Sequence, residues 1–437
     1  MTSTARLVEV HRLAVAGHEA GIARHVGERV GRVWLTRSRF ADVIRLSEQT
    51  LTLGEDGAAF YHLGWAKRVT GVPAEALAAY DRALGLFRAA QERGNEAATL
   101  SNIGNVYHGL GDRQRALNYY EQALPIRREV GDRGGEASTL NNIGHVYDGL
   151  GDRQRALDYF GQALPIMQEA GDRGGEATAL NNIGHVYDGL GDRRRALDYY
   201  GQALPIVREV GDRGGEASAL NNIGHAYDGL GDRPRAVAYY GQALTIVREV
   251  GDRAGEATAL NNIGGVYAEL GEHQRALDYF GQVLPIVREV GDRAGEAAAL
   301  NNIGSVNDRM GDRRRALDYY GQALPILREV GLRAGVAATL NNIGGVYAGL
   351  GDRQRALDYF GQALPIRREV GDRAGEAVTR FSTAMVYREL GELDRAVAEL
   401  EQVVELDRLV GHPDLESDTA VLERVRQEQA GSIPGPR

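Results

Sequence analysis

From residue 137 to residue 166, small and apolar residues recur at helical spacing in two sets. The first is Ala137, Leu140, Ile143, Gly144, Tyr147 and Leu150; the second is Ala156, Leu157, Phe160, Ala163, Leu164 and Ile166. Each set makes one apolar stripe along a helix, with polar positions on the other sides. Between them Gly151 offers the left-handed turn that ends a helix, and Asp152 stands where a side chain caps the next. Gly171 and Asp172 repeat the same stop and start. A pair of helices joined this tightly cannot bury both stripes by itself and must stack on neighbours.

Neighbours are present. The phrase Leu140-Asn141-Asn142-Ile143-Gly144 returns every 40 residues, with its glycine at Gly184, Gly224, Gly264, Gly304 and Gly344. Degenerate copies reach Gly64 and Gly104 upstream and Ala384 downstream, which makes nine units. A weaker tenth echo runs from Gly31 through Trp34 and Phe40 to Leu51 at a shorter spacing. The predicted fold is all-α, a right-handed α-solenoid (superhelix) of stacked antiparallel helix pairs. Residues 1–55 read as an atypical helical N-terminal cap with one degenerate repeat, and 56–411 as nine repeats. Residues 412–437 read as a capping helix, marked by Leu415, Val421, Leu422 and Val425, and a disordered tail, GSIPGPR. In the last repeat the positions of Leu140 and Ile143 become Arg380 and Thr383, as suits a terminal unit.

Leu140, Ile143, Gly144, Tyr147, Ala156, Phe160 and Ala163 reproduce the small and large positions of a known motif, and the unit resembles the tetratricopeptide repeat. Its 40-residue period and GDRxGEA connector are similar to the Pins/LGN adaptors, and its Leu-Asn-Asn phrase to kinesin light chain. The resemblance covers residues 56–411 and implies a concave groove for other polypeptides. One departure stands out. The motif's usual late proline is missing, and Pro125, Pro165, Pro205, Pro285, Pro325 and Pro365 fall inside the second helix instead. An unrelieved interior proline costs about 3 kcal/mol. A glycine four positions earlier, as at Gly161, makes room, so a shallow repeated bend is expected.

Function is expected on the other face of the first helix. Ser138, Asn141, Asn142, His145, Asp148 and Gly149 lie opposite its apolar stripe. The groove-lining set that the resemblance implies is Asn102, Asn142, His145, Asp148, Asn182, His185, Asp188, Asn222, His225, Asp228, Asn262, Asn302 and Asn342. An asparagine amide both donates and accepts, which suits an extended peptide backbone, although bonds to neighbouring helices would satisfy it equally. Trp65 and Arg68 in the first repeat and Arg388 in the last are candidate anchors, since aromatic and arginine side chains dominate interfaces. Packing against the caps is the alternative, most plainly for Trp65. Across the repeats the His145 position also reads Gly265, Ser305 and Gly345, and the Asp148 position Ala268 and Ala348. A ligand, or drift at exposed sites, would produce that variation.

Composition narrows the remaining choices. A net charge of −9 argues against nucleic acid, whose binders carry a basic footprint. The chain has no cysteine, so thiolate chemistry and disulfides are out, as fits a cytoplasmic, bacterial protein. Its single lysine, Lys67, lies outside any phosphate-binding loop. His145 with Asp148 supplies fewer ligands than a zinc site needs. No apolar run is long enough to insert in a membrane. The expectation is therefore a non-enzymatic adaptor without cofactor, holding a protein or peptide ligand. Two alternatives are a sensor arm resembling those of bacterial STAND-type signalling ATPases, and an accessory subunit of an enzyme acting in trans.

Overall fold

In a computed structural model of the chain, residues 3–432 are described, and among them every regular element is a helix. The N-terminal helices are α1 (Ser3–Ala16), α2 (Ala20–Leu35) and α3 (Phe40–Leu51). Four pairs follow: α4 (Gly57–Val69) with α5 (Pro73–Ala89), α6 (Arg93–Gly109) with α7 (Arg113–Glu129), α8 (Arg133–Gly149) with α9 (Arg153–Ala170), and α10 (Arg173–Gly189) with α11 (Arg193–Glu209). Next come α12 (Arg213–Gly229) with α13 (Arg233–Val250), α14 (Arg253–Glu269) with α15 (His273–Glu289), and α16 (Arg293–Arg309) with α17 (Arg313–Glu329). The last are α18 (Arg333–Gly349) with α19 (Arg353–Glu369), α20 (Arg373–Glu389) with α21 (Leu393–Val410), and α22 (Leu415–Ser432). Two compact units divide the chain, Met1–Gly215 and Glu216–Arg437. Within each, consecutive helices pack as a solenoid of helix pairs.

One repeat of the first unit shows why the pairs form. Gly151 takes a φ of 83°, which ends α8 at no steric cost, and the Asp152 carboxylate accepts from the Arg155 N–H at 3.2 Å to start α9. Inside the hairpin the helices approach closely because Gly144 has no side chain. A Cβ there would lie 2.7 Å from the Phe160 ring. In the second unit Gly264 faces Phe280 in the same way, at 2.8 Å. Near the cap, the Tyr147 and Tyr159 rings stack at 5.5 Å with the Arg155 guanidinium over Tyr147. Asn307 breaks this row, because it replaces the first tyrosine and turns its amide back to the Ile303 carbonyl at 2.8 Å.

The first turn of most first helices buries a glutamate. Glu136 takes Arg128 at 2.8 Å and Arg133 at 2.7 Å, and Arg133 goes on to Glu169 at 3.3 Å across the hairpin's open end. Burial alone would raise this carboxyl, but the two guanidiniums hold it below the ordinary range. Two first helices, α4 and α18, lack the device. Before α18 the cap is the exposed Leu332, and Val336 fills the glutamate's place.

The second helices run unbroken through their prolines. Gly161, whose carbonyl Pro165 leaves without a donor, lies on the exposed side, as does the proline, so the freed group is not shut away from solvent. At the other end of the chain, Arg380 and Thr383 are buried rather than facing solvent. Arg380 pairs with Glu376 at 2.9 Å and with Glu399, and Thr383 bonds to the Thr379 carbonyl. These polar replacements thus sit inside a paired network, while α22 lays Leu422 and Val425 on Ala384, Leu400 and Val404. That helix includes Gly431 and Ser432, the first two residues of the expected tail; the other five lie outside the described residues.

Candidate functional site

The first helices of successive pairs turn one face outward, and all the predicted side chains from Asn102 to Asn342 lie on it. His145, His185 and His225 are exposed; Asp148, Asp188, Asp228, Asn222 and Asn342 are half-buried. Five of the asparagines tie their helix to the preceding first helix. Asn182 donates to the Asn141 carbonyl oxygen at 3.0 Å, Asn262 to Asn221 at 2.9 Å and Asn302 to Asn261 at 2.9 Å. Near the N-terminal end the same bond changes partners: Asn142 donates to Asn105 at 3.2 Å, and Asn102 to the Tyr61 hydroxyl at 2.8 Å. Each donor amide spends one N–H on this ladder and stays half-exposed, and the Asn102 oxygen also accepts from Asn105 at 3.4 Å. The acceptor row, headed by Asn141, is the part that sequence reasoning left without a role. Its signal is a fixed offset of 41 residues, and that becomes meaningful only once helix neighbours are known.

The histidine and aspartate rows differ between the two units. In the first, the His145 ring stands edge-on to Phe160, with centroids 5.5 Å apart and an interplanar angle of 88°. The crowding around it pushes its pKa below the usual imidazole range, with His108 and His185 acting in the same direction and Asp148 against them. His185 Nε2 reaches to 3.5 Å from Asp148 Oδ2. In the second unit Gly265 and Ala268 replace this pair and leave a cavity of about 270 Å³. His225, Asp228, Asn262, Asn302 and Arg309 line it, with the Tyr240 and Phe280 rings at its floor. Arg309 crosses its rim to the Ala268 carbonyl at 3.3 Å.

The anchors at the two ends are engaged within the chain. Trp65 is half-buried, packs into the cores on both sides of α4, and meets Tyr61 edge-on at 6.2 Å. Arg68 on the same helix is also half-buried. Arg388 is held by Glu428 of α22, Nε to Oε2 at 2.8 Å. No group of three or more metal-binding side chains occurs among the described residues. Nor is any helix among them long and apolar enough to cross a membrane.

A solenoid of helix pairs with small-on-large packing inside each hairpin defines an α-helical repeat protein. The pattern of the tetratricopeptide repeat matches residues 55–129, 95–169, 135–209, 175–249, 255–329 and 335–408, and a second version matches 221–288. The chain belongs to the tetratricopeptide repeat family. No curated protein sequence matches it. Among solved structures it is similar to a STAND signal-transduction ATPase with a tetratricopeptide repeat sensor from Pyrococcus horikoshii. The identity is 15% and the TM-score 0.62, over 82% of this chain and 55% of that one. The quorum sensor NprR from B. thuringiensis aligns at 15% identity and TM-score 0.56, over 74% of this chain and 99% of that one. A Rap protein complexed with competence and sporulation factor aligns at 16% and 0.54, over 84% and 98%. At these identities the likeness is one of fold.

Proposed function

We propose that this chain is a protein-interaction scaffold that binds an extended segment of a partner along the outward face of its first helices. The observation that carries the reading is the half-exposed asparagine row. Asn182, Asn262 and Asn302 are held by bonds between helices, and each of these amides has a second N–H and an oxygen to offer a peptide backbone. Asn102, Asn142, Asn182, Asn222, Asn262, Asn302 and Asn342 are the backbone readers on this view. His145, Asp148, His185, Asp188, His225 and Asp228 set which side chains fit, while Trp65 and Arg68 in the first unit and Arg388 in the second are the candidate anchors. The solved Rap protein, which is complexed with competence and sporulation factor, supports a binding role by analogy of fold.

A second reading, a sensor arm that acts on a signalling ATPase in trans, is supported by the likeness to the STAND protein's repeat sensor. Alanine at the asparagines is a poor test of either, because it also removes bonds between helices worth about 1 kcal/mol each. Site-specific photo-crosslinking avoids this. A crosslinking residue at His185 should capture partner protein in the native cell, whereas one at Gln162, exposed on the second helix of its pair, should not. Adducts only at Gln162, or at neither position, would sink the proposal. A captured nucleotide-dependent ATPase would select the sensor reading.

A further inference from the structure

The N-terminal helices stand apart in charge. Residues 1–50 carry eight arginines against five acidic side chains, within a chain whose net charge is −9. Part of that excess surrounds a cavity of about 440 Å³ between α1 and α3. Ala5, Val8 and Arg12 follow at helical steps along α1, and Asp42, Arg45 and Gln49 do so along α3, so each helix gives the cavity one face. Arg39, at the start of α3, lies over the Trp34 ring at 4.5 Å and lines a further side. The buried His11 ties the two helices together beside it. The Thr50 hydroxyl gives its proton to the Leu46 carbonyl at 2.9 Å, so His11 Nε2 is the donor in its 2.8 Å bond to the Thr50 oxygen.

The charges around the cavity do not cancel. Glu9 takes Arg12 at 2.7 Å, but Asp42 alone serves both Arg39, at 2.6 Å, and Arg45, at 2.7 Å. No other acidic side chain among the described residues pairs with these two guanidiniums. One positive charge is therefore left over, and Arg45 commits only Nη2 to Asp42, which leaves most of its N–H groups open. Ala5, exposed, and Val8, half-buried, give the opposite wall an apolar character. We infer that this cavity binds a small organic monocarboxylate with an apolar body. The carboxylate lies against Arg39 and Arg45, whose planar guanidiniums match it with paired N–H bonds, and the apolar body lies on Ala5 and Val8. A single negative charge fits a surplus of one, whereas a cation would meet three guanidiniums. The volume falls in the range of small-molecule sites, roughly 300–1,000 Å³. None of the lining residues belongs to the asparagine row, so the inference stands apart from the peptide-binding reading.

Calorimetric titration of the full chain with octanoate tests this. Octanoate should bind at one site per chain, while 1-octanol and 1-octylamine, of the same length, should show no saturable binding. Arg45→Gln should weaken octanoate tenfold or more, and because Arg45 is exposed, thermal unfolding should not change. Asp42→Asn removes the anion that competes for both guanidiniums and should tighten octanoate several-fold, an effect that a merely structural ion pair would not produce. Absence of saturable octanoate binding, equal binding of octanol or octylamine, or indifference to either substitution overturns the inference. Each of those results leaves the asparagine face and its crosslinking test untouched.

Discussion

The two units are built from one repeat, yet their first-helix faces are finished differently. In the unit ending at Gly215 the face is closed by the protein's own groups: His145 packs on Phe160, and His185 reaches Asp148. From Glu216 onward His225 and Asp228 still follow that pattern, but the later positions read Gly265, Ala268, Ser305, Asp308, Gly345 and Ala348, and beside Gly265 the face opens into a cavity. The backbone and buried stripes are the same in both, down to the glycine that admits Phe160 or Phe280. Packing inside the hairpin and the finish of the outer face are thus set by adjacent residues, as Gly264 and Gly265 show side by side. The units differ at their ends too: the first buries a histidine, and the second sets a half-buried carboxyl against a buried one.

The largest test of that contrast is acid. His62 is buried against Gly31, and loss of water around the ring, helped by the nearby Arg32, lowers its pKa to about 4. The unfolded chain therefore takes up a proton near pH 6.5 that the folded unit refuses until about pH 4. Stability conferred on the first unit is full above pH 6.5 and declines as pH falls through this window. The shift corresponds to about 3 kcal/mol. The chain's two tryptophans, Trp34 and Trp65, both belong to the first unit, so their fluorescence reports its unfolding alone. The urea midpoint read this way should drop between pH 6.5 and 4, and His62→Gln should flatten the drop. An unchanged slope in that variant would remove His62 as the cause.

The neighbouring glycines give the next effect, with opposite signs one residue apart. Gly264→Ala drives a Cβ to 2.8 Å from the Phe280 ring and should destabilise the second unit by about 1–3 kcal/mol. Gly265→Ala meets open space and should stabilise it by about 0.5–1 kcal/mol, because alanine loses less backbone entropy in a helix. Urea titration followed by circular dichroism measures both. Equal effects would erase the distinction between the packed and the open position.

Much of this was legible before any coordinates. Gly151 with Asp152, and Gly144 with Phe160, are local signals: a turn needs a left-handed residue, a start needs a cap, and a large ring needs a missing side chain. Helix pairing followed from them. The asparagine face was legible as a face, but not as a ladder. A bond from Asn182 to Asn141 depends on the rotation between repeats, which no spacing within one repeat encodes. The same limit hid Arg388, whose partner Glu428 is 40 residues on and belongs to a helix read only as a cap. Arg380 misled for a related reason, since a charged residue at a core position looks like an exposed end until Glu399 is seen opposite it.

The smallest effect is confined to α22 and runs against the first. Asp418 faces Asp407 of α21, which is almost fully buried, with Asp414 and His412 close by. Burial, then the hydrogen bond and charge of Asp407, push the Asp418 carboxyl up to about 6, with His412 pulling the other way. Its folded pKa lies above the unfolded value near 4, so the folded state holds the extra proton between those limits. The contribution is present in acid and is lost as pH rises from about 4 to about 6. Because Asp418 is only half-buried, the opening equilibrium of α22 should change by about tenfold rather than the full amount of the shift. Asp418→Asn keeps a donor for Asp407 at every pH. It should therefore slow hydrogen exchange of the amides of 415–432 at pH 7 while leaving them nearly unaltered at pH 5, once the intrinsic pH dependence of exchange is divided out. Acid would then loosen the end of the molecule that buries an imidazole and tighten the end that sets one carboxyl against another. Equal protection of α22 in parent and variant at pH 7 would leave that opposition without its second half.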